Sequence, residues 1–458
     1  MSPRPTLRRT LLCAAVAASL TGLAYGQATT GRIAGSAPVA AGETVVIEGS
    51  NGLTREVAVD ARGRYVAESL PLATYKVSLK SNGNIVDTRD NVTLRVGAAT
   101  DVSFGTTAGA TGNAEQLEGV TVSANNLPKI DVATVASSSV ITSADLARLP
   151  LQRSAEAIAL LAPGASPGYS GFKNAFGGST VSFAGSAVTE NAYYINGMNT
   201  TDPLSGFGGV TLPYGAIDQQ EILSGGYSAM YGRSDGGVIS QVGKRGTNEW
   251  HFGAQVLWEP DFARASARNI TYGHDNPAPA GSLNQRNDEN HEWTSTVSAY
   301  AGGPLIKDKL YAFAAVEMER SKGNSIGDVN HAYDTRYTYK DPKWYGKLDW
   351  NINDSNILEL TGVNQTHRSN GNKYAYDYDT DTVGDYTSQD TTYKTKAMVY
   401  VAKFTSYITD DLTLTALYGK SKLTYYNEAP DTGIVGPFIG NLASQNPAIT
   451  GGTPISNG

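Results

Sequence analysis

The chain has 458 residues, among them 50 glycines and 26 tyrosines, with 17% charged residues and a formal net charge of −7. This length allows several domains or one large β architecture, and a glycine- and tyrosine-rich chain with few charges fits a β-rich surface protein better than a cytosolic enzyme. The negative charge gives no reason to expect nucleic acid as a partner.

Residues 1–26 have the pattern of a secretory signal peptide. Arginines precede the apolar run Leu11–Leu20, and Ala24 and Gly26 supply the small residues of a cleavage site. The single cysteine, Cys13, lies in this segment, so we expect no disulfide in the mature chain. The run is too short for a membrane-spanning helix, and no later stretch is long and apolar enough. An exported chain of this kind is predicted to be either soluble or a β-barrel.

Residues 30–104 are predicted to form a small β-sandwich. Short β-prone runs are separated by turn residues such as Asp60–Gly63 and Ser81–Asn84. The predicted strands are Thr44–Glu48, Arg55–Val59, Arg64–Glu68, Tyr75–Lys80, Ile85–Thr88 and Val92–Val96. The motif "VDARGRYVAESLPLATYKVSL" resembles the carboxypeptidase-regulatory-like domain. That resemblance implies an immunoglobulin-like sandwich, and the fold alone carries no peptidase chemistry.

Residues 105–134 are predicted to be a linker. Its first part, "GTTAGATGNAE", has the composition of a flexible chain. Its second part, "LEGVTVSAN" at Leu117–Asn125, is β-prone and isolated before Pro128. This stretch is either an ordinary edge strand or an extended peptide that a partner captures by adding it to a sheet.

Residues 135–248 are predicted to form a glycine-punctuated α+β domain. Ser143 and Ser154 are placed to cap two short helices, which Pro150 and Pro163 end. The predicted strands are Thr180–Ala184, Ala192–Asn196, Ile217–Leu223 and Gly237–Val242.

Residues 249–458 are predicted to form about seven strands of an outer-membrane β-barrel. Trp344, Leu348 and Trp350 alternate with Lys347 and Asp349, which places apolar residues toward lipid and polar residues toward a lumen. The predicted strands are 249–258, 292–301, 308–320, 343–352, 356–365, 393–407 and 411–425. Short turns alternate with three polar stretches that are predicted to be long loops without regular structure: Pro260–Asn290, Ser321–Asp341 and Thr366–Thr392. A soluble sandwich is the alternative, but it rarely needs such loops.

Motifs for catalysis, metals and cofactors are not met in this sequence. The five histidines have no metal-ligand spacing, and Gly243-Lys244 lacks the upstream glycine and the Ser/Thr of a phosphate-binding loop. The acidic run Asp377–Asp385 lacks the glycine and the final glutamate of a calcium loop, which favours a solvated loop. We therefore expect no enzyme activity, catalytic residue, metal or cofactor.

The stretch "YSAMYGRSDGGVISQVGKRGTNEWHFG", Tyr227–Gly253, resembles the end of the plug domain of TonB-dependent outer-membrane receptors. The plug-end pattern is matched at Tyr231, Gly232, Gly236, Gly237, Lys244, Gly246, Thr247 and Asn248. Upstream, "VITSADLARLP", "AIALLAPGAS" and "YYINGMNTTDP" are similar to plug motifs, although Asn196 stands where aspartate is common. "GGPLIKDKLYAFAAVE" resembles an early barrel hairpin of the Oar-like subgroup, whose N-terminal domain is carboxypeptidase-regulatory-like.

The resemblance implies a 22-stranded antiparallel transmembrane barrel, incomplete in this chain, that an α+β plug closes. It implies a receptor that imports an extracellular ligand with energy that TonB, assisted by ExbB and ExbD, delivers from the inner-membrane proton gradient. It also favours the captured-peptide hypothesis for the linker, as a TonB box at Glu118, Gly119, Val120, Thr121, Val122, Ser123 and Ala124. The implied location is the outer membrane of a Gram-negative cell, surrounded by its lipid, with the N-terminal domain in the periplasm.

In this family, ligand contacts come from plug and extracellular loops. The candidates here are Tyr169, Phe172, Asn199, Asp202, Tyr376 and Tyr378. Their chemistry suits an iron chelate, a glycan or a peptide. Seven strands and a polar end at Gly458 predict an N-terminal portion of a longer receptor, because an open sheet edge cannot lie in hydrocarbon. The alternative function is a secreted or surface-attached β-rich adhesin.

Overall fold

The computed structural model describes residues 29–428 except 40–41, 105–135, 150, 152, 170–171, 233, 274–279, 391 and 410–411. The predicted signal peptide and the predicted TonB box lie outside the described residues. Within them, no helix has the length and apolar character needed to cross a bilayer.

Residues 29–104, the N-terminal domain, contain two β-sheets that share one hydrophobic core. The strands are β1 (Thr30–Ser36), β2 (Glu43–Gly49), β3 (Thr54–Ala58), β4 (Arg64–Pro71), β5 (Thr74–Ser81), β6 (Asn84–Thr93) and β7 (Ala99–Asp101). They form a sheet of order β4-β1-β7 and a sheet of order β3-β2-β5-β6. Alternate residues point into the core, so Ile33 and Tyr65 meet Val45 and Val77 from the opposite sheet.

The N-terminal domain differs from its predicted strands in two places. Two further strands, β1 and β7, complete the three-stranded sheet; β1 contains Gly31 and Gly35, which lower its β propensity. The two runs predicted at Ile85–Thr88 and Val92–Val96 instead give the single strand β6, because its pairing with β5 continues through a register shift.

Residues 136–248, the middle domain, are built on a five-stranded sheet of order β12-β11-β14-β13-β8. The strands of this domain are β8 (Ser137–Thr142), β9 (Ala165–Pro167), β10 (Val181–Phe183), β11 (Ala192–Ile195), β12 (Met198–Asn199), β13 (Ile217–Gly225) and β14 (Val238–Gly243). The helices are α1 (Ser143–Leu146) and α2 (Ala155–Ala159), and 3₁₀ turns form at Val188–Glu190, Tyr214–Ala216 and Ala229–Tyr231.

The two predicted helix starts in the middle domain have different outcomes. Ser154 caps α2, since its side chain accepts a hydrogen bond from the amide of Ala157. The prediction for Ser143 is wrong by one residue: Thr142 is the cap, and Asp145 completes a reciprocal capping box with it. Ser143 lies inside the first turn instead.

Residues 251–428 form one long antiparallel sheet of order β15-β18-β19-β20-β21-β23-β24, with β22 paired to β21. Its strands are β15 (His251–Glu259), β18 (Glu292–Ile306), β19 (Leu310–Ile326), β20 (Tyr333–Asn353), β21 (Asn356–Asp377), β22 (Thr382–Gln389), β23 (Thr392–Tyr407) and β24 (Thr413–Glu428). A 3₁₀ turn at Asp261–Ala263 and the small hairpin of β16 (Ile270–Thr271) and β17 (Leu283–Gln285) lie between β15 and β18. Strands form at all seven predicted places.

The prediction of long loops without regular structure is wrong for all three polar stretches, although Pro260–Asn290 contains only a 3₁₀ turn and the short hairpin of β16 and β17 among its described residues. Within Ser321–Asp341, β19 continues to Ile326 and β20 begins at Tyr333. Within Thr366–Thr392, β21 continues to Asp377 and β22 follows it. The physical reason is that Thr and Tyr favour extended backbone even where the sequence is polar, so the ladders continue beyond the apolar part of the strands.

The two faces of the long sheet have opposite character. On one face of β20, Trp344, Leu348 and Trp350 are 40–47% exposed, whereas Lys347 and Asp349 on the other face are at most 4% exposed. We call the face with the exposed apolar residues the outer face and the face that contacts the middle domain the inner face. The predicted alternation is therefore confirmed on this strand.

Candidate functional site

The inner face of the long sheet and the middle domain meet in a shared apolar core. Phe313 and Tyr345 of the sheet pack in one buried cluster with Ile195 and Ile217 of the middle domain. The 3₁₀ turn Tyr214–Ala216 lies against β18 and β19. The middle domain thus packs against the inner face of the sheet, opposite the exposed apolar residues of β20.

A buried charge cluster joins the end of the middle domain to the sheet. Arg245, which follows β14, lies 2.6 Å from Glu359 and 3.8 Å from Asp349. Glu359 also contacts Lys347 at 3.0 Å and Lys403 at 2.9 Å. All five side chains are less than 10% exposed. Withdrawing Arg245 would break its 2.6 Å charge-assisted hydrogen bond to Glu359 in a buried site, which makes this contact costly to break.

A second ionic contact lies near α2. The guanidinium of Arg153 lies 3.2 Å from Glu317 of β19, and Lys343 of β20 contacts the other oxygen of the same carboxylate at 3.1 Å. The amide of Tyr214 also donates to Glu317 at 3.1 Å. The ionic contacts of Arg245 and Arg153 lie in different parts of the middle domain. Polar contacts therefore attach this domain to the sheet at more than one place.

Asn196 links the tight turn after β11 to the sheet. It has a left-handed backbone, φ +47°, which asparagine tolerates. Its amide nitrogen donates to Thr361 at 3.0 Å and to the Tyr345 hydroxyl at 3.4 Å, and its oxygen accepts from the amide of Gly243 at 2.9 Å. An ionised aspartate could accept but could not donate, so asparagine is the residue that satisfies this site.

The first half of the plug-end pattern lies in the core of the middle domain. Tyr231 is buried, and its ring meets Tyr194 edge-on at 5.6 Å. Gly232 has φ +64°, a conformation that favours glycine. A Cβ on Gly236 would lie 2.6 Å from the Asn191 side chain, and Gly237 lies directly against the Phe183 ring. These glycines therefore allow close packing.

The second half of the plug-end pattern crosses from the middle domain to the sheet. The ammonium of Lys244 lies 5.0 Å above the Tyr300 ring. A Cβ on Gly246 would lie 2.6 Å from the carbonyl oxygen of Ala312, so the chain passes close to the backbone of β19 there. The Thr247 hydroxyl donates to the carbonyl of Glu249 at 3.0 Å. The chain therefore passes from the middle domain to the sheet in close contact with the strands beside it.

Asn248 joins all three parts of the chain. Its side chain exchanges hydrogen bonds with Asp308 in the turn before β19, at 2.7 and 3.0 Å, and accepts from the Tyr311 hydroxyl at 2.9 Å. Its backbone amide donates to the carbonyl of Ser50 in the N-terminal domain at 3.0 Å. The last residue of the pattern therefore fixes the N-terminal domain beside the short turns of the long sheet.

The N-terminal domain is attached at that turn end by further hydrogen bonds. The side chain of Gln219 on β13 accepts from the amide of Val96 at 2.9 Å and donates to the carbonyl of Leu94 at 2.7 Å. Tyr407, at the end of β23, donates to the carbonyl of Ser69 at 2.8 Å. The domain thus covers both the middle domain and the sheet at this end.

Two carboxyl groups are buried within the middle domain. Burial raises the pKa of Glu221 on β13 to about 7. Burial also raises the pKa of Glu156 on α2, although the Asn174 amide donates to it at 3.0 Å. One oxygen of each carboxyl has no hydrogen-bond partner among the described residues. Ionisation of these groups at neutral pH weakens the domain that holds them.

The predicted ligand contacts separate into exposed aromatic residues and residues that are engaged in internal contacts. Tyr169 is 71% exposed and lies edge-on to Phe172 at 5.5 Å, and Phe172 in turn stacks on Phe207 at 5.1 Å. These three rings form an accessible aromatic surface on loops of the middle domain. Phe207 was not among the individually named candidates, although it lies within the candidate loop Asn199–Gly208.

The other candidates are engaged in internal contacts. Asn199 accepts from the amide of Thr201 at 2.9 Å, and buried Asp202 accepts from the hydroxyls of Ser205 and Tyr425. Tyr376 is also buried and donates to Glu289 at 3.1 Å. Tyr378 meets Tyr376 edge-on at 5.1 Å and donates to the carbonyl of Gly327. Within the described residues these four groups support the loops around them.

His367 is a residue of this region that no motif pointed to. It lies on β21, 2.6 Å from Asp341 on β20, and its ring stacks on Tyr339 at 5.6 Å. A Cβ on Gly177 would lie 3.1 Å from the same ring, so this pair supports the middle-domain loop that carries the aromatic surface. Across the described residues, no set of three His, Cys, Asp or Glu side chains is arranged to hold a metal ion.

Comparisons with known proteins are consistent with these observations. The TonB-dependent Receptor Plug Domain family matches residues 131–239. The chain is 28% identical over 285 residues to the TonB-dependent transporter Oar of Myxococcus xanthus, which covers 60% of this chain and 25% of that protein.

Two solved structures are similar at low identity. One is the ferric enterobactin receptor PfeA of Pseudomonas aeruginosa, with a TM-score of 0.43, 16% identity, and coverage of 64% of this chain and 41% of that one. The other is the outer membrane transporter YddB of Escherichia coli, with a TM-score of 0.38, 12% identity, and coverage of 63% and 48%. The chain thus matches about a quarter of Oar and less than half of either structure.

Proposed function

We propose that this chain is an Oar-like TonB-dependent receptor and that it imports an extracellular ligand across the outer membrane with energy from the inner-membrane proton gradient. TonB delivers that energy, with ExbB and ExbD acting through it. The predicted TonB box at residues 118–124 is the contact, captured by strand addition. The N-terminal domain lies in the periplasm, on the same side as TonB.

The observation that carries this proposal is the seating of the middle domain on the inner face. An apolar outer face suits lipid, and the ionic contacts of Arg245 and Arg153 with Glu359 and Glu317 hold a domain that has to be moved. A secreted adhesin would expose the same outer face to water, and an apolar surface of that extent is a liability in a soluble protein. The receptor function therefore accounts for both faces of the sheet.

The order of elements gives a route for the force. The predicted box precedes β8, which is an edge strand of the five-stranded sheet and, among the described residues, pairs only with β13. A pull on the linker acts on β8 first and then on β13. An edge strand separates one hydrogen-bonded pair at a time, which needs less force than breaking a whole sheet together. We expect β8 to leave β13 before the ionic contacts open.

The aromatic surface acts before transport, when the ligand binds, and the N-terminal domain is affected during transport, when the middle domain moves. The N-terminal domain bonds to β13 through Gln219, so peeling of the middle domain also loosens this domain. Tyr169, Phe172 and Phe207 form the ligand-contacting surface before transport. The ligand is one that can stack on aromatic rings.

A pull-down with the periplasmic domain of TonB tests the proposal. The receptor is prepared as wild type, as Val120→Pro, and as the matched control Ala110→Pro in the linker outside the box. Proline removes a backbone donor and blocks strand addition, so Val120→Pro is expected to lose TonB while Ala110→Pro retains it. Equal binding of all three forms, with each correctly assembled in the outer membrane, would remove the box assignment.

A further inference from the structure

Glu156 on α2 is a buried carboxyl group that contacts the loops of the aromatic surface. Its side chain is 1% exposed, and one of its oxygens accepts a hydrogen bond from the Asn174 amide at 3.0 Å. The other oxygen has no hydrogen-bond partner among the described residues. Burying a polar group without full hydrogen bonding is unfavourable. An apolar side chain would avoid this cost but could not accept the hydrogen bond from Asn174.

Asn174 closes the turn that follows Phe172 in the first loop of the aromatic surface. Its side-chain oxygen accepts from the backbone amides of Phe176 and Gly178, at 3.0 and 2.8 Å. Its own backbone amide donates to the carbonyl of Gly178 at 2.9 Å. The side-chain nitrogen of Asn174 is thereby directed to Glu156, so the carboxyl group fixes the whole turn through one side chain.

The second loop of the aromatic surface reaches the same carboxyl group at Gly208. A Cβ on Gly208 would lie 3.2 Å from an oxygen of Glu156 and 2.7 Å from the Cβ of Asn174. Gly208 also has a left-handed backbone, φ +74°, which favours glycine. Its neighbour Phe207 stacks on Phe172 at 5.1 Å. Glu156 and Asn174 therefore lie where the two loops that carry these rings meet.

The groups that face Glu156 from neighbouring elements compensate its charge poorly. Lys343 on β20 attracts the carboxylate, but its ammonium is bound to Glu317 at 3.1 Å. Tyr193 on β11 is a buried phenol whose raised pKa keeps it neutral. Burial therefore raises the pKa of Glu156 above its ordinary value of 4.5, against the smaller opposing effects of Asn174 and Lys343. The folded state thus favours the protonated carboxyl group.

We propose that Glu156 is the positioning residue of the aromatic surface, and that its uncharged carboxyl group holds the loops of Phe172 and Phe207 together for the ligand. This inference rests on the ligand-contacting role of that surface in the proposed function. An ionised Glu156 gains solvation by leaving the dry site, which requires the turn at Asn174 to open. Ligand affinity therefore falls as the pH rises through the pKa of Glu156 in the folded state.

The experiment measures hydrogen exchange of the full chain in detergent by mass spectrometry. The peptides followed are those that contain the amides of Phe176 and Gly178. Exchange is recorded from about pH 5 to about pH 9 and divided by the chemical exchange rate of an unstructured peptide at each pH. The test variant is Glu156→Gln, which keeps the shape and the acceptor oxygen of the side chain but carries no charge.

The matched control is Glu221→Gln, because Glu221 is also a buried carboxyl group of the middle domain with one unpartnered oxygen among the described residues. Its neighbour Gln220 donates to the carbonyl of Ala155 in α2 at 2.8 Å, so Glu221 points to the opposite face of the sheet. His367 is a titratable group on the other side of the same turn, and His367→Gln is the second control.

In the wild type, protection of the two amides is expected to fall at least about tenfold across the pH range, since one unit of raised pKa is worth a factor of ten. Glu156→Gln should keep high protection at every pH, whereas both controls should keep the wild-type dependence. A flat profile in the wild type, which needs no variant to observe, would overturn the proposal. The same conclusion follows if Glu156→Gln keeps the dependence or if either control loses it.

A second measurement connects the turn to the rings. Phe172→Cys and Phe207→Cys are combined and labelled with pyrene maleimide, whose excimer emission reports that the two positions lie together. The ratio of excimer to monomer emission should fall with rising pH and stay constant when Glu156→Gln is added. A ratio that ignores pH while exchange changes would contradict the positioning role, because Glu156 would then hold the turn but not the rings. Neither assay involves TonB, so failure of TonB to bind bears on the proposed function alone.

Discussion

Arg245 of the middle domain and Glu359 of the long sheet form a buried ion pair with 2.6 Å between guanidinium nitrogen and carboxylate oxygen. Glu359 is shared with Lys347 and Lys403, so one carboxylate contacts three cations from three chain segments. The pair is therefore the point at which the attachment of the middle domain to the long sheet depends most on a single side chain.

Substitution Glu359→Gln is expected to lower the free energy of unfolding by about 3 kcal/mol, because it leaves three buried cations with only Asp349 nearby. Unfolding in guanidinium chloride, followed by tryptophan fluorescence, measures the change. The matched control is Glu56→Gln, which breaks the exposed pair with Lys80 and should cost less than about 1 kcal/mol. Equal losses in both variants would contradict a special role for the buried cluster.

Substitution Asn196→Asp, which restores the residue common in the resembling family, is expected to destabilise this chain by about 1–3 kcal/mol. A carboxylate cannot donate to Thr361 and the Tyr345 hydroxyl, although it tolerates the same backbone. The measurement is again the unfolding midpoint. Thr361→Val serves as the partner variant, and if Asn196→Asp has no additional effect in that background, the loss is assigned to this hydrogen bond.

Glu221 makes the middle domain sensitive to pH. Its pKa is about 7 in the folded protein against an ordinary value of 4.5, so the folded state holds the proton more tightly than the unfolded chain. Stability from this group is complete below about pH 4.5 and is lost as the pH rises to about 7. Glu221→Gln should remove that loss and raise stability at neutral pH by about 3 kcal/mol. Parallel pH profiles for both proteins would show that Glu221 ionises without cost.

Gln219 is expected to control attachment of the N-terminal domain. Gln219→Ala removes both hydrogen bonds to Leu94 and Val96, so the amide of Val96 should exchange its hydrogen faster. Hydrogen exchange with mass spectrometry measures this. Tyr407→Phe, which removes the separate bond to Ser69, should loosen a different segment. If exchange at Val96 is unchanged in Gln219→Ala, the attachment does not depend on that side chain.

Most of the strands could be predicted because apolar and polar residues alternate where the two faces of a strand have different surroundings. On β20 the alternation matches the structure, since Trp350 is exposed on the outer face and Asp349 is buried on the inner face. The extent of the strands was predicted less well, since polar Thr and Tyr in 321–341 continue the ladder without an apolar pattern to mark it. Burial of one face decides where apolar and polar residues alternate, whereas hydrogen bonding between backbones decides how long each strand is.

The polar contacts between domains could not be predicted from the sequence. Arg245 and Glu359 are 114 residues apart, and only the fold shows that they meet. Lys347 and Asp349 were assigned to a lumen face, but nothing in their spacing indicated a partner on the middle domain. Gly236 and Gly237 were different, because the plug-end pattern already singled them out, and Gly237 lies directly against the Phe183 ring.

The most direct test of the central claim measures movement of the middle domain in living cells. The mature chain is predicted to lack cysteine, so Ala216→Cys places a single thiol where the middle domain is buried against the sheet. Cells are treated with a maleimide probe with the proton gradient intact or collapsed, and Ala61→Cys on the exposed turn of the N-terminal domain is the control. The account predicts that Ala216→Cys is labelled faster only with an intact gradient and an unaltered Val120, while Ala61→Cys is labelled throughout. Labelling of Ala216→Cys that is independent of the gradient, or unchanged by Val120→Pro, would contradict energised movement of this domain.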